Sequence, residues 1–193
     1  MKNLFMFLLI ASSVNVFAFN ASIETDPVFY LGAKNLAGAY DFNIDFKTDS
    51  LKQFRFGFFS WNAEMNQQMT EYLMTDNLKS EVQNLLWTGY GVELHYLPQG
   101  HQDSSLIFGL RLQNNSYEIT TSSEKIKINH GVVTPQVGYQ YFLTRAQGGF
   151  YLLPWIGAQI PISGDDKVTL NGSSSYQTRK VLPVITVHIG YEY

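Results

Sequence analysis

The stretch LAGAYDFNIDF, residues 36–46, carries the clearest structural signal in the chain. Apolar and aromatic residues occupy every second position, and Ala, Asp or Asn stands between them. Successive side chains of a β-strand point to opposite faces, so this period of two predicts a strand with one apolar and one polar face. The polar face carries Asp41 and Asp45, and buried carboxylates need partners. We therefore expect an apolar medium on one side of the strand and a satisfied polar interior on the other.

The same period recurs in seven further stretches. We predict strands at residues 26–31, 51–61, 85–97, 106–120, 128–142, 150–162 and 181–193. Each has a face with almost no charge, which is the pattern of a transmembrane barrel that is apolar outside and polar inside. Lipid offers no partner to a sheet edge, so such a sheet must close. The predicted fold is all-β, a closed antiparallel transmembrane β-barrel of about eight strands.

Prolines and connections add detail to this prediction. Pro135, Pro154 and Pro183 lie inside predicted strands, where we expect bulges or local gaps in the pairing.

The connections at 47–50, 98–104 and 144–148 are short, whereas those at 62–84, 121–127 and 163–180 are mostly longer and polar. Short turns on one side and long loops on the other are typical of outer-membrane barrels, with the short turns periplasmic. Outward aromatic residues gather at the short-turn end and predict an interfacial girdle: Phe46, Phe54, Tyr96, Tyr141, Phe150, Tyr191 and Tyr193.

The N-terminus predicts export. Lys2 precedes an apolar run at 4–11, and Val16-Phe17-Ala18 places small residues at the −3 and −1 positions of a cleavage site. We expect residues 1–18 to be a signal peptide and residues 19–193 to form the barrel domain. The chain contains no Cys, which excludes a disulfide framework.

The C-terminus suggests how the chain reaches its membrane. Ile189, Tyr191 and Tyr193 share one face of the last predicted strand, and the chain ends on an aromatic residue. This resembles the terminal strand of bacterial outer-membrane barrels, which the barrel assembly machinery reads. The whole pattern resembles the small eight-stranded barrels of the outer membrane protein A and outer membrane protein X class. The resemblance implies a Gram-negative outer membrane, with membrane lipid and the assembly machinery as partners.

Ionisable and polar residues fall on the predicted inner face. The interior of a barrel of about eight strands is only wide enough for side chains to fill it, so charges there must pair. We expect Glu93 to meet Arg111, and Asp41 and Asp45 to meet Arg55. The predicted lumen network comprises Asp41, Asp45, Arg55, Glu93, His95, Arg111, Gln136 and His188.

An enzyme is the main alternative, because some small outer-membrane barrels modify the acyl chains of lipid A. His130 lies near Ser122, Ser123 and Glu124 in sequence, and these are the residue types that activation of a hydroxyl nucleophile requires. The spacing matches no signature, so we predict no catalytic residues. With no Cys and no His pair at ligand spacing we also predict no metal and no cofactor, and the net charge of −3 argues against nucleic acid.

Function is expected to reside in the long loops, because fold alone does not choose among tethers, adhesins, channels and enzymes. Apolar residues recur every three to five positions in loop 62–84, which favours an amphipathic helix. The loop would either form a contact surface for a partner, a host molecule or a membrane, or extend a strand or cap the barrel mouth. We predict a structural or surface-interaction role. A small-solute channel and a soluble periplasmic ligand-binding barrel rank behind the lipid enzyme.

Overall fold

The computed structural model describes residues 19–35, 38–46, 52–73, 82–100, 104–143, 149–164, 167–170, 174–177 and 180–193. The predicted signal peptide lies outside these ranges. The strands are β1 (Phe19–Thr25), β2 (Ala33–Asn35), β3 (Ala39–Phe46), β4 (Phe54–Met65), β5 (Asn84–Tyr96), β6 (Ser105–Thr120), β7 (Lys125–Phe142), β8 (Gly149–Gly164), β9 (Lys167–Leu170), β10 (Ser174–Gln177) and β11 (Leu182–Glu192). Two helices accompany them, α1 (Pro27–Gly32) and α2 (Gln67–Leu73).

Eight of these strands form a closed ring. In spatial order they are β1, β3, β4, β5, β6, β7, β8 and β11, and β11 pairs back onto β1. Every pair is antiparallel. The strand β2 adds to the end of β4, and β9 pairs with β10 in a separate hairpin. The prediction of a closed eight-stranded antiparallel barrel is confirmed.

Side chains face the sides that the alternation predicts. On β3, Asp41 and Asn43 are buried whereas Tyr40 and Phe42 are exposed. On β6, Arg111 is buried between the exposed Leu110 and Leu112. The outer face of these strands is therefore apolar and their polar side chains face the lumen, because successive side chains of a strand point to opposite faces.

The first strand differs from the prediction. Residues 26–31, predicted as a strand, belong to α1 and its N-cap. The Asp26 Oδ1 atom accepts a hydrogen bond from Phe29 N at 2.9 Å, and Pro27 occupies the first turn. Proline suits this position because its fixed φ is helical and the N–H it lacks would have no partner there. The barrel begins instead with β1, which is earlier in the chain.

The two ends of the barrel are distinct. The lower end is the one that carries the β3–β4, β5–β6 and β7–β8 connections and Tyr193, and the upper end carries α1, α2 and the β9–β10 hairpin. Aromatic rings meet along the lower rim, with centroid separations of 5.5 Å for Phe54 and Tyr96 and 5.0 Å for Phe150 and Tyr191. This matches the predicted girdle, although the side chain of Phe46 lies outside the described part.

Two local features refine the predicted strands. The turn between β6 and β7 spans only Thr121–Glu124, closed by a Thr121 N to Glu124 O bond of 2.9 Å, so the longer loop predicted at 121–127 is wrong. The pairing of β7 with β8 skips the positions at Pro135 and opposite Pro154, as expected for residues without an N–H. No helix within the described ranges is long and apolar enough to cross a membrane.

The lumen is layered. A lower apolar cluster includes Leu97, Ile107 and Leu153. An upper apolar cluster is built from Ala63, Met65, Leu73, Leu85, Trp87, Tyr117, Ile119, Ile128 and Leu182. Between the two clusters lies a belt of buried charged and polar side chains, which we call the polar belt and which is the first candidate for a functional site.

Candidate functional site

Arg111 is one centre of the polar belt. Its Nε donates to Glu93 Oε2 at 2.6 Å, and its Nη2 donates to Asp41 Oδ2 at 2.8 Å. The guanidinium also lies over the rings of Phe59 and Trp155, at 4.6 and 4.9 Å from their centroids. Both charge-assisted hydrogen bonds and ring contacts favour a fixed guanidinium. Arg111 thus links β6 to its neighbour β5 and, across the lumen, to β3.

Glu24 is the second centre. Its Oε1 accepts hydrogen bonds from Tyr151 Oη at 2.6 Å, Asn43 Nδ2 at 3.0 Å and Arg55 Nη1 at 3.4 Å. Its Oε2 lies 2.8 Å from His188 Nδ1. One carboxylate therefore joins β1 to β3, β4, β8 and β11. The sequence prediction missed Glu24 because the first strand was placed too late, although Asn20, Ser22 and Glu24 already alternate with Ala21 and Ile23.

His188 connects the two centres. Its Nδ1 lies 3.1 Å from Asp41 Oδ2, and the same Asp41 oxygen receives Arg111. His95 lies nearby, with Nε2 at 3.4 Å from Glu93 Oε2 and in contact with Gln136 Nε2. The belt is therefore one connected set of side chains.

The predicted lumen residues can now be placed. Seven of them have buried side chains: Asp41, Arg55, Glu93, His95, Arg111, Gln136 and His188. The side chain of Asp45 lies outside the described part, although its Cα is paired with that of Arg55. Glu93 and Arg111 are paired across β5 and β6, as expected. Asp41 instead contacts Arg111 and His188, because Arg55 extends to Glu24 and to Glu192 at 3.7 Å.

Glycine makes room for this packing. A Cβ placed on Gly190 would overlap the ring of Tyr151, which reaches over that position to Glu24. A Cβ on Gly57 would overlap Asn43 Oδ1 and approach Glu93. The inward glycines therefore set where the large side chains of the belt can lie.

Glu24, Asp41 and His188 also form a set of metal-ligand type. One ligand atom from each lies within 4.8 Å of the others. Arg55 and Arg111 already contact the two carboxylates of this set. The arrangement is accounted for by ion pairing, and we assign the three residues to the belt.

A cavity of about 330 Å³ lies directly above the polar belt. Asp41, Arg111 and His188 line its floor. Its apolar walls and roof come from α1, α2, β4, β5 and β8: Phe29, Trp61, Met69, Leu73, Trp87 and Trp155. The space lies between the polar belt and the helices of the upper end, and its lining includes the exposed residues Val28 and Ile185.

The residues considered for catalysis do not converge. His130 is 3% exposed on the inner face of β7, with its ring 5.8 Å from that of Tyr117. Ser122 and Ser123 are exposed in the β6–β7 turn, which also contains Glu124. Five residues separate His130 from the start of β7, a distance of roughly 16 Å along a strand. That separation exceeds the contact distance that general-base activation of a hydroxyl requires.

Loop 62–84 is partly strand and partly helix. Residues 62–65 extend β4, α2 follows, and residues 74–81 lie outside the described part. Thr70 and Leu73 of α2 are buried and Met69 packs on the upper apolar cluster, so the apolar face of α2 caps the barrel mouth. At the other end of the chain, Ile189 and Tyr193 are exposed on the outer face and Tyr191 is half-buried there.

Comparison with known proteins agrees with this architecture. No protein-family model and no curated protein matches the sequence. Among solved structures, the N-terminal β-barrel domain of Pseudomonas aeruginosa OprF is similar, with a TM-score of 0.50, 12% identity, and coverage of 90% of this chain and 97% of that one. Neisserial surface protein A gives a TM-score of 0.49 at 11% identity, with coverage of 91% and 96%. The chain has the fold of the small outer-membrane β-barrels.

Proposed function

We propose that this protein is an integral outer-membrane barrel with a closed lumen, which serves a structural or surface-interaction role rather than forming a channel. The observation that carries the proposal is the polar belt, in which Arg111 crosses the lumen to Asp41. A pore that admits solutes needs a continuous aqueous path, and eight-stranded barrels fill theirs with side chains.

The outer surface supports the membrane location. Leu106, Phe108, Leu110 and Leu112 of β6 are all exposed, and so are Tyr139 and Tyr141 of β7. A continuous exposed apolar surface of this kind is stable in lipid and unstable in water. We extend the proposal to the predicted leader at 1–18 and to recognition of Ile189, Tyr191 and Tyr193 by the barrel assembly machinery.

The surface role is assigned to the upper end. The apolar face of α2 packs against the upper apolar cluster, and Gln67, Gln68 and Glu71 remain exposed. A partner of α2 would therefore meet these polar side chains together with the exposed Tyr72. We propose no enzymatic activity, because His130 and the two turn serines are far apart.

Two measurements test the closed-barrel proposal. Fractionation of expressing cells, with gels of boiled and unboiled samples, should place a heat-modifiable band in the outer membrane. In planar bilayers the wild-type protein should give no stable conductance. The triple variant Asp41→Ala, Glu93→Ala, Arg111→Ala removes the cross-lumen bridge but keeps the Glu24–Arg55 pair and both apolar clusters, so it should conduct only in brief openings. Large and stable wild-type conductance, or a soluble periplasmic fraction, would overturn the proposal.

A further inference from the structure

We propose that the cavity above the polar belt is a binding site for a single acyl chain carrying a carboxyl or ester oxygen, and that the chain enters from the membrane between α1 and β11. The site goes beyond the proposed closed-barrel role, because it requires neither conduction nor chemistry. Four observations support it.

The first observation is a gap in the barrel wall. Pairing between β1 and β11 stops at Thr25 and Ile189, whereas β11 continues upward to Leu182 along β8. Within the described residues, no strand pairs with the other edge of β11 above Ile189. The helix α1 lies at this edge instead, and a helix is suited to a lipid-facing wall because its backbone hydrogen bonds are internal.

Side-chain contacts close the gap among the described residues. Thr186 Oγ1 donates to Asp26 Oδ1 at 2.6 Å, His188 Nε2 lies 3.8 Å from Asp26 Oδ2, and the hydroxyl of Tyr72, on α2, donates to the Pro183 carbonyl. These contacts replace a ladder of backbone hydrogen bonds. The seam between α1 and β11 is therefore the part of the wall that can separate without breaking a β-ladder.

The second observation is that apolar residues at this seam border both the cavity and the exposed outer surface. Val28 and Ile185 line the cavity, yet they are 36% and 75% exposed on the outer surface. Leu31, also on α1, is 80% exposed. An exposed apolar surface that continues into a cavity favours binding of an apolar ligand over a polar one.

The third observation is the height of the seam. Ile185 stands six residues above the girdle residue Tyr191 on β11, which is roughly 15 Å along the barrel axis for a tilted strand. The apolar band of such barrels is about 25 Å tall. The opening thus faces the hydrocarbon of the upper leaflet, while α2 covers the cavity from above and the polar belt closes it from below.

The fourth observation concerns hydrogen bonding inside the cavity. All three Trp residues of the chain, Trp61, Trp87 and Trp155, line it. Their indole Nε1 atoms are buried and have no hydrogen-bond partner among the described residues. A buried indole N–H normally finds an acceptor. A carboxyl or ester oxygen at one end of an acyl chain supplies such an acceptor next to apolar walls.

The size of the cavity limits the guest. A volume of about 330 Å³ lies at the low end of ligand pockets, which span roughly 300–1,000 Å³. We therefore assign the site to one chain of a free fatty acid or a monoacyl lipid, and not to a whole lipid with several chains.

The three Trp residues provide the readout. The barrel in bilayers of unlabelled phospholipid is titrated with 9,10-dibromostearic acid, whose bromines quench indole fluorescence at contact. We expect quenching that saturates in the wild type. Thr134 lines the cavity from β7, so Thr134→Phe should obstruct it and lower the apparent affinity at least tenfold, while Thr134→Val, of nearly the same volume, should keep the affinity.

A second variant tests the route and does not depend on filling the cavity. The chain has no Cys, and Asp26 and Thr186 are in side-chain contact, so Asp26→Cys with Thr186→Cys can form a single disulfide across the seam. The oxidised protein should bind the probe at least tenfold more slowly, and a reductant should restore the rate in the same sample.

The outcomes separate the alternatives. Saturable quenching by brominated phospholipid in place of the fatty acid would reassign the guest to a membrane lipid and overturn the single-chain assignment. Quenching that rises linearly and equally in wild type, Thr134→Phe and the oxidised double variant would mean that the cavity holds only water, and would overturn the site. None of these outcomes bears on bilayer conductance, so the closed-barrel proposal fails or stands separately.

Discussion

Arg111 Nη2 and Asp41 Oδ2 lie 2.8 Å apart although their strands, β6 and β3, are separated in the ring by β4 and β5. The same guanidinium holds Glu93 on β5 at 2.6 Å. Three charges from three strands thus meet inside the barrel, where burial makes the loss of one partner costly. This relationship makes the stability of the barrel depend on a bond across its own interior.

Removing Arg111 alone should therefore destabilise the barrel more than removing the whole group. Arg111→Met leaves two buried carboxylates without their cation, for a loss of about 3–5 kcal/mol in the free energy of unfolding. Adding Asp41→Asn and Glu93→Gln should recover part of that loss. Urea titration in lipid vesicles measures the free energy of unfolding of the wild type, the single variant and the triple variant. Equal stability of the single and triple variants would contradict a coupled buried network.

The exposed pair Lys34–Glu64, with Nζ and Oε1 3.1 Å apart, is the matched control. Lys34→Met should change the free energy of unfolding by less than about 1 kcal/mol, because exposed ion pairs are screened by water.

The lipid-facing assignment is tested on β6. Leu110→Arg places a cation on the outer face near the middle of the apolar band, and should cost about 2–4 kcal/mol. Ser116→Arg, on the same face of the same strand but six residues higher, should cost far less. Refolding yield and urea midpoints report the difference, and a harmless Leu110→Arg would mean that this face is not in lipid.

The orientation of the barrel is tested by chemical labelling of intact cells. Gln68→Cys at the upper end should react with a membrane-impermeant maleimide, because its side chain is exposed on α2. Gln99→Cys, exposed at the lower end, should react only after the outer membrane is opened. The reverse pattern would invert the proposed topology.

The separation of His130 from the turn serines predicts an absence of lipid chemistry. Lipid A from cells with the wild-type protein, with His130→Ala and without the protein should give identical mass spectra. A loss or gain of acyl chains that requires His130 would restore the enzyme hypothesis.

The fold could be predicted because each strand carries its own signal. The sequences of residues 36–46 and 106–112 carry a period of two, which predicts the exposed and buried side chains seen at 39–44 and 106–112 without knowledge of neighbouring strands. The Glu93–Arg111 pair was also predictable, since a hairpin with a short turn fixes which residues face each other. The bond from Arg111 to Asp41 was not, because it depends on the curvature of the closed ring.

Other parts of the site were missed for a different reason. Asp26-Pro27 is a helix start, yet the residues after it also suit a short strand, so α1 was predicted as β-structure. That error moved the first strand and hid Glu24. The cavity was missed as well, because it exists only where a helix replaces the upper part of a strand.

The pairing of β1 with β11, which closes the ring, is the shortest pairing between neighbouring strands of the barrel. Among the described residues it contains four paired positions, Ser22–Thr25 against Ile189–Glu192, and one further bond from Tyr193 N to Ala21 O, whereas β6 and β7 share sixteen paired positions. We expect the ring to open first at the strand pair with the fewest backbone hydrogen bonds. The amide hydrogens of Ile23 and Thr25 should therefore exchange with solvent deuterium before those in the middle of β6. The pairing that closes the ring would then also be the place where the barrel first reverts to an open sheet.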